Sequence, residues 1–142
     1  MTKPTPEPPP GGPYGTHVVT VVCAAAPELA KPLRDFVTAV LRLYGDPDVA
    51  ETGRLVCSEL YGNSVRHVPG SRTEVTVHHD AERPALVIAV ADDHPKVPAP
   101  REPSPLAESG RGLALVAAVS DACGTYNFPA GKRVWSRLGL TV

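Results

Sequence analysis

The chain has 142 residues, 42% of them hydrophobic and 20% charged, with a net charge of −1. That is the length of one domain with a sizeable core, and the charge balance argues against a dedicated nucleic-acid binder, which carries a basic excess. No run of 18 apolar residues suggests a membrane span, the N-terminus has no apolar signal core, and the 3 cysteines lack a Cys-x-x-Cys pair. A soluble protein of the reducing cytoplasm, without disulfides or a zinc knuckle, is the expectation.

Residues 1–16 are rich in proline and glycine, which build neither a ladder nor a helix, and read as a disordered or polyproline-like tail before a domain at 17–142. The β-branched run Val18–Val22 predicts a strand. Leu29, Leu33, Phe36, Val37, Val40, Leu41 and Tyr44 follow at helical spacing and predict a helix over Pro27–Tyr44, stopped by Gly45. Asp46-Pro47 supplies a capping carboxylate and a first-turn proline for a second helix reaching His67. Thr73–Asp80 and Ala85–Ala91 predict a strand pair across Ala81–Pro84. Residues 93–108 hold 5 prolines and little apolar content, a long loop of the functional kind. Gly112–Ala122 predicts a third helix ending at Gly124, and Tyr126–Phe128 with Arg133–Leu138 a closing hairpin. The order implies an α+β two-layer sandwich, with helices on one face of a mostly antiparallel mixed sheet.

Chemistry concentrates on the second helix. At 100° per residue, Val49, Val56 and Leu60 form a stripe widened by Ala50, Cys57, Tyr61 and Val65. Glu59, Asn63 and Arg66 fall on one flank of it, with His67 near its edge. Glu59 and Asn63 are one turn apart, so a carboxylate able to take a proton neighbours an amide oxygen able to bind a hard cation. A solvated face with a Glu–Arg pair is the plainer alternative. Asp92 ends a strand, where a carboxylate can accept from a ligand amino group. Glycines at a helix start, Gly110 and Gly112, let a backbone approach a phosphate. Cys57 reads as a small buried hydrophobe and Trp135 as packing. His78 and His79 point to opposite faces of a strand and cannot share a metal, and an exposed position is expected for at least one.

In order, these pieces resemble one family. Ser58-Glu59-Leu60-Tyr61-Gly62-Asn63-Ser64-Val65-Arg66-His67 looks like the N box of the GHKL ATPase superfamily. Asp92-Asp93-His94-Pro95 is similar to its first glycine box, Glu108-Ser109-Gly110-Arg111-Gly112-Leu113 to its second, and Gly131-Lys132-Arg133-Val134-Trp135 to its third. The nearest subfamily is the stand-alone anti-sigma-factor serine/threonine kinases of the RsbW and SpoIIAB type, in particular their actinobacterial relatives. The resemblance implies a Bergerat-type fold binding ATP and Mg²⁺, with Asn63 as magnesium ligand, Glu59 as general base and Asp92 on the adenine. It places Arg66, His67, Gly110, Arg111, Gly112, Leu113 and Lys132 around the nucleotide, under a lid at residues 93–108. It further implies a homodimer that phosphorylates a STAS-domain antagonist and sequesters a sigma factor. A non-catalytic binding module of the same fold is the alternative, and a plain ATP-hydrolysing domain a third. The first glycine box departs from Asp-x-Gly-x-Gly: both glycine positions, His94 and Lys96, hold other residues.

Overall fold

The computed structural model of the chain describes residues 15–93 and 107–140, and for 107–111 the backbone alone. The proline-rich tail up to residue 14 and residues 94–106 of the expected lid lie outside the described residues. Five strands form one sheet: β1 (Thr16–Ala24), β2 (Arg72–Asp80), β3 (Ala85–Asp92), β4 (Ala122–Phe128) and β5 (Gly131–Gly139). The order across the sheet is β1-β2-β3-β5-β4, and each of the four pairings is antiparallel. Helices α1 (Ala30–Leu41), α2 (Pro47–His67) and α3 (Ala107–Val119) complete the two-layer α/β architecture expected from the sequence, and a 3₁₀ turn at Pro27–Leu29 leads into α1.

The core lies between sheet and helices. Val75, Val77, Leu86, Ile88, Val90, Val134 and Leu138 meet Leu33, Val37, Leu41, Val56, Leu60 and Val116. Alternation along β3 sends Leu86, Ile88, Val90 and Asp92 to this helix side. Val87 and Ala89 face the other way, into a small cluster with Trp135. The expected cap of α2 is present: Asp46 accepts from the Val49 N–H at 3.0 Å, with Pro47 in the first turn. Gly53 lets α1 and α2 close up, since a Cβ there would run into Leu41.

Tyr61 fixes which end of the sheet carries the C-terminal half of α2. Its hydroxyl donates to the Ala24 carbonyl at 2.6 Å and accepts from the Ala26 N–H at 3.0 Å. Ala24 opposes Arg72 on β2, and the next residue, Thr73, opposes Asp92 on β3. The second half of α2 therefore sits over the sheet end that carries Asp92. Tyr61 is 1% exposed, and burial raises its phenol pKa. Tyr61→Phe should lower unfolding free energy by about 1–3 kcal/mol, because the buried partners lose their bonds while the ring packing stays; urea unfolding measures it.

Several elements differ from the sequence reading. Helix α1 ends at Leu41, leaving Tyr44 in the following turn and partly exposed; Phe36, counted on the apolar stripe, is 46% exposed. Helix α3 begins five residues earlier than expected, so Gly110 and Gly112 lie within its first turns and not at its start. Strand β4 begins at Ala122, where helix was expected. Gly124 does not end a helix there; it is a strand residue on which the Trp135 ring packs, leaving 3.0 Å to the position a Cβ would take. Cys57 is buried, and burial pushes its thiol up to about 12, in line with a packing role.

His78 and His79 do point to opposite faces, but neither is exposed. His79 stacks near Tyr44 with ring centroids 4.8 Å apart. His78 faces away from the helices beside His17, at 5.4 Å. Burial first, then His17 and Arg133, holds the His78 pKa down at about 4. A histidine whose folded pKa is depressed binds protons more readily when unfolded, so stability falls as pH drops from its ordinary value towards 4. The full shift corresponds to a loss on the order of 3 kcal/mol. Denaturant midpoints should decline across that window, and His78→Leu should flatten the decline.

Candidate functional site

The C-terminal half of α2 presents Glu59, Asn63, Arg66 and His67 at successive turns. Asn63 is buried at 8% exposure, Glu59 is half-buried, and Arg66 and His67 are exposed. The amide of Asn63 is engaged: Arg66 Nη2 donates to its Oδ1 at 3.0 Å. The guanidinium that the plainer alternative pairs with a glutamate thus goes to Asn63, three residues before it on the same helix face. Sequence reasoning placed the three together but missed this partner.

Helix α3 crosses the same face. A Cβ on Gly112 would lie 2.5 Å from Glu59 Oε1 and 3.9 Å from Arg66 Nη2. Gly112 is therefore where α3 comes down onto the carboxylate, which accounts for a glycine inside a helix despite a cost of about 1 kcal/mol. The expectation of a phosphate-binding turn at a helix start needs correcting on this point. Gly110 and Gly112 are helical here, and Gly112 packs on Glu59. Gly110 and Arg111 are placed by their backbone alone, in the first turns of α3. Leu113 is 39% exposed on the same helix.

Asp92 closes β3 on the helix side and is 5% exposed. Its cross-strand neighbours are Thr73 on β2 and Lys132 on β5. Lys132 Nζ stands 3.8 Å from Asp92 Oδ2. Gly131 lies against the Asp92 backbone so closely that any Cβ would strike the carbonyl oxygen. Thr73, fully buried, was not singled out from sequence; its hydroxyl donates to the Ser71 carbonyl at 3.2 Å. Hairpin arithmetic would have found it, since Asp80 opposite Ala85 carries the register to Thr73 opposite Asp92.

The sequence-derived residues thus share one end of the molecule: Glu59, Asn63, Arg66 and His67 on α2, Asp92 and Lys132 on adjoining strands, Gly110 to Leu113 on α3. Among the described residues no three His, Cys, Asp or Glu side chains form a metal cluster. One amide oxygen and one carboxylate suit magnesium, which keeps waters and takes phosphate oxygens, and do not suit zinc or calcium.

The model of the histidine kinase-like ATPase domain matches residues 23–138. The chain belongs to that family. The match runs from the last two residues of β1 to the penultimate residue of β5 and includes every residue of the site. ATP is accordingly the ligand for which the domain is built. No curated protein matches the chain. No described helix is long and apolar enough to cross a membrane.

Proposed function

We propose that this domain is an ATP- and Mg²⁺-dependent serine/threonine protein kinase of the anti-sigma type. It would phosphorylate a STAS-domain antagonist, sequester a sigma factor and act as a homodimer. What supports the reading most is the meeting of Glu59, Asn63 and Gly112: a half-buried carboxylate one turn from an amide oxygen, under the helix that carries the second glycine box. Phosphoryl transfer is mostly positioning and charge stabilisation, so a base, a metal ligand and backbone donors are the parts required. Asn63 Oδ1, with the phosphates of the nucleotide, would hold Mg²⁺, which supplies charge neutralisation. Glu59 would accept the proton of the attacking hydroxyl. Asp92 would meet the adenine amino group, and Lys132, His67 and Arg111 would border the nucleotide.

A second reading has its own support. Arg66 holds Asn63 Oδ1, Lys132 stands beside Asp92, and the first glycine box has lost both glycines. A module locked in this arrangement would bind its regulator without transferring phosphate. Labelled ATP, Mg²⁺ and a STAS-domain substrate separate the two. Transfer of label to a serine or threonine supports the kinase; stable binding with no transfer supports the module. Light scattering tests the dimer.

A further inference from the structure

The two faces of the sheet are not alike. Among the described residues the helices pack on one of them, yet the other is also dry at its centre. Val87 is 0% exposed there and Trp135 2%, and no described helix residue joins their cluster. Three atoms of the indole stand 3.0 to 3.1 Å from the place of a Cβ on Gly124, so one side of the ring lies flat on β4. The other side would meet water if nothing lay over it. His78 and Arg137, which flank Val87 on the neighbouring strands, are buried as well. On the same face of the edge strand β1, His17, Thr20 and Val22 are exposed, Val22 at 50%. The cover is therefore local and sits over β3 and β5.

Residues 1–14, 94–106 and 141–142 are the stretches that could supply it. Residues 141–142 reach about 7 Å past Leu140, whereas Trp135 lies five residues back, about 17 Å. Residues 94–106 run from the end of β3 to α3 in the helix layer and are tied at both ends. Burial also tightens away from them. Arg133, towards the Asp92 end of β5, is half-buried, whereas Arg137, towards the opposite end, is buried.

That opposite end is where residues 1–14 join the sheet. Gly15 has φ +110° and lies so close to β2 that a Cβ would strike the His79 carbonyl oxygen and the Asp80 backbone. Asp80 opposes Ala85, and its ion pair with Arg137 lies on the face in question. From Gly15 to Trp135 is three strand spacings across and four residues along, about 20 Å. The 14 residues ahead of Gly15 span about 43 Å as a polyproline helix, enough to cross.

Their chemistry suits the task, since 6 of the 14 are proline. Proline has no N–H, so a run of it lies on an apolar face without burying donors that lack partners. Its rings also pack well on aromatic side chains, which is how proline-rich segments dock in aromatic grooves. We propose that residues 1–14 cross the open face of the sheet as a strap, with their prolines against Trp135. The strap is independent of the activity proposed for the nucleotide site.

The test uses the full chain, in which Trp135 is the only tryptophan. In the unaltered chain the indole should be shielded from acrylamide at any protein concentration, and its protons should show nuclear Overhauser contacts to proline rings of residues 1–14. Replacing Pro8, Pro9 and Pro10 together by Asp puts charge where apolar contact is needed. That variant should be quenched severalfold more strongly and emit further to the red, with its far-ultraviolet circular dichroism unchanged. Pro98→Asp with Pro100→Asp, in the other long stretch, should quench as the unaltered chain does. A freely quenched indole in the unaltered chain, or no Overhauser contacts to residues 1–14, would overturn the proposal whatever the variants do. So would a folded triple variant that stays shielded, shielding lost through Pro98 and Pro100 instead, or shielding lost on dilution, which would make the cover a second copy of the chain.

Discussion

Glu59→Gln should lower the rate of phosphoryl transfer by about 10²–10⁴-fold while nucleotide affinity changes little. Glutamine keeps the length and packing of the side chain, so α3 can still rest Gly112 where a carboxylate oxygen now lies. What disappears is the ability to take a proton. A residue that serves only to seat α3 would be replaced by glutamine without consequence for the rate. The split therefore falls between kcat, which drops, and nucleotide Kd, which stays. A normal rate in the Gln variant would remove Glu59 from the role of base.

Glu59→Ala removes the proton acceptor and the packing partner together. It should match Gln in rate and add a loss of stability, visible as a lower urea midpoint. Gly112→Ala probes the same contact from the other side. Its methyl group would stand 2.5 Å from Glu59 Oε1, and the carboxylate, at the end of a flexible chain, would be the part to move. Transfer should fall with the fold intact.

Much of this arrangement is legible in the residues, and its limits are physical. The α2 helix announces itself through local chemistry: the Asp46 cap, Pro47 in the first turn and an apolar stripe at 3.6-residue spacing. The β2–β3 hairpin is equally local, and counting from its turn places Thr73 beside Asp92. The start of α3 is not local. Gly110 and Gly112 read as a break because glycine is a poor helix former, yet the decisive fact is that α3 packs onto Glu59, 53 residues earlier in the chain than Gly112. Gly124 misleads for the same reason, since its neighbour Trp135 lies across a strand pair. The Arg66–Asn63 bond sits between these cases: helical spacing allows it, but allows Glu59 as a partner of nearby residues too, and only the packed helix chooses.

That bond sets up the second large effect. Asn63→Ala should abolish the Mg²⁺-dependent part of nucleotide affinity, a loss of about 10–100-fold in a titration with and without the ion. The reasoning turns on competition. Asn63 Oδ1 accepts from a guanidinium at 3.0 Å, so a cation already stands where Mg²⁺ would be held. For the metal to bind with its phosphates, Arg66 has to leave. Arg66→Ala should then strengthen Mg²⁺-dependent binding, the opposite sign from Asn63→Ala on the same face of the same helix. Asn63→Asp keeps an oxygen at the position and should retain the metal, although its charge also holds Arg66 more firmly. If Asn63 served only to pack the buried side of α2, all three variants would alter the urea midpoint and none would change the difference between titrations with and without Mg²⁺.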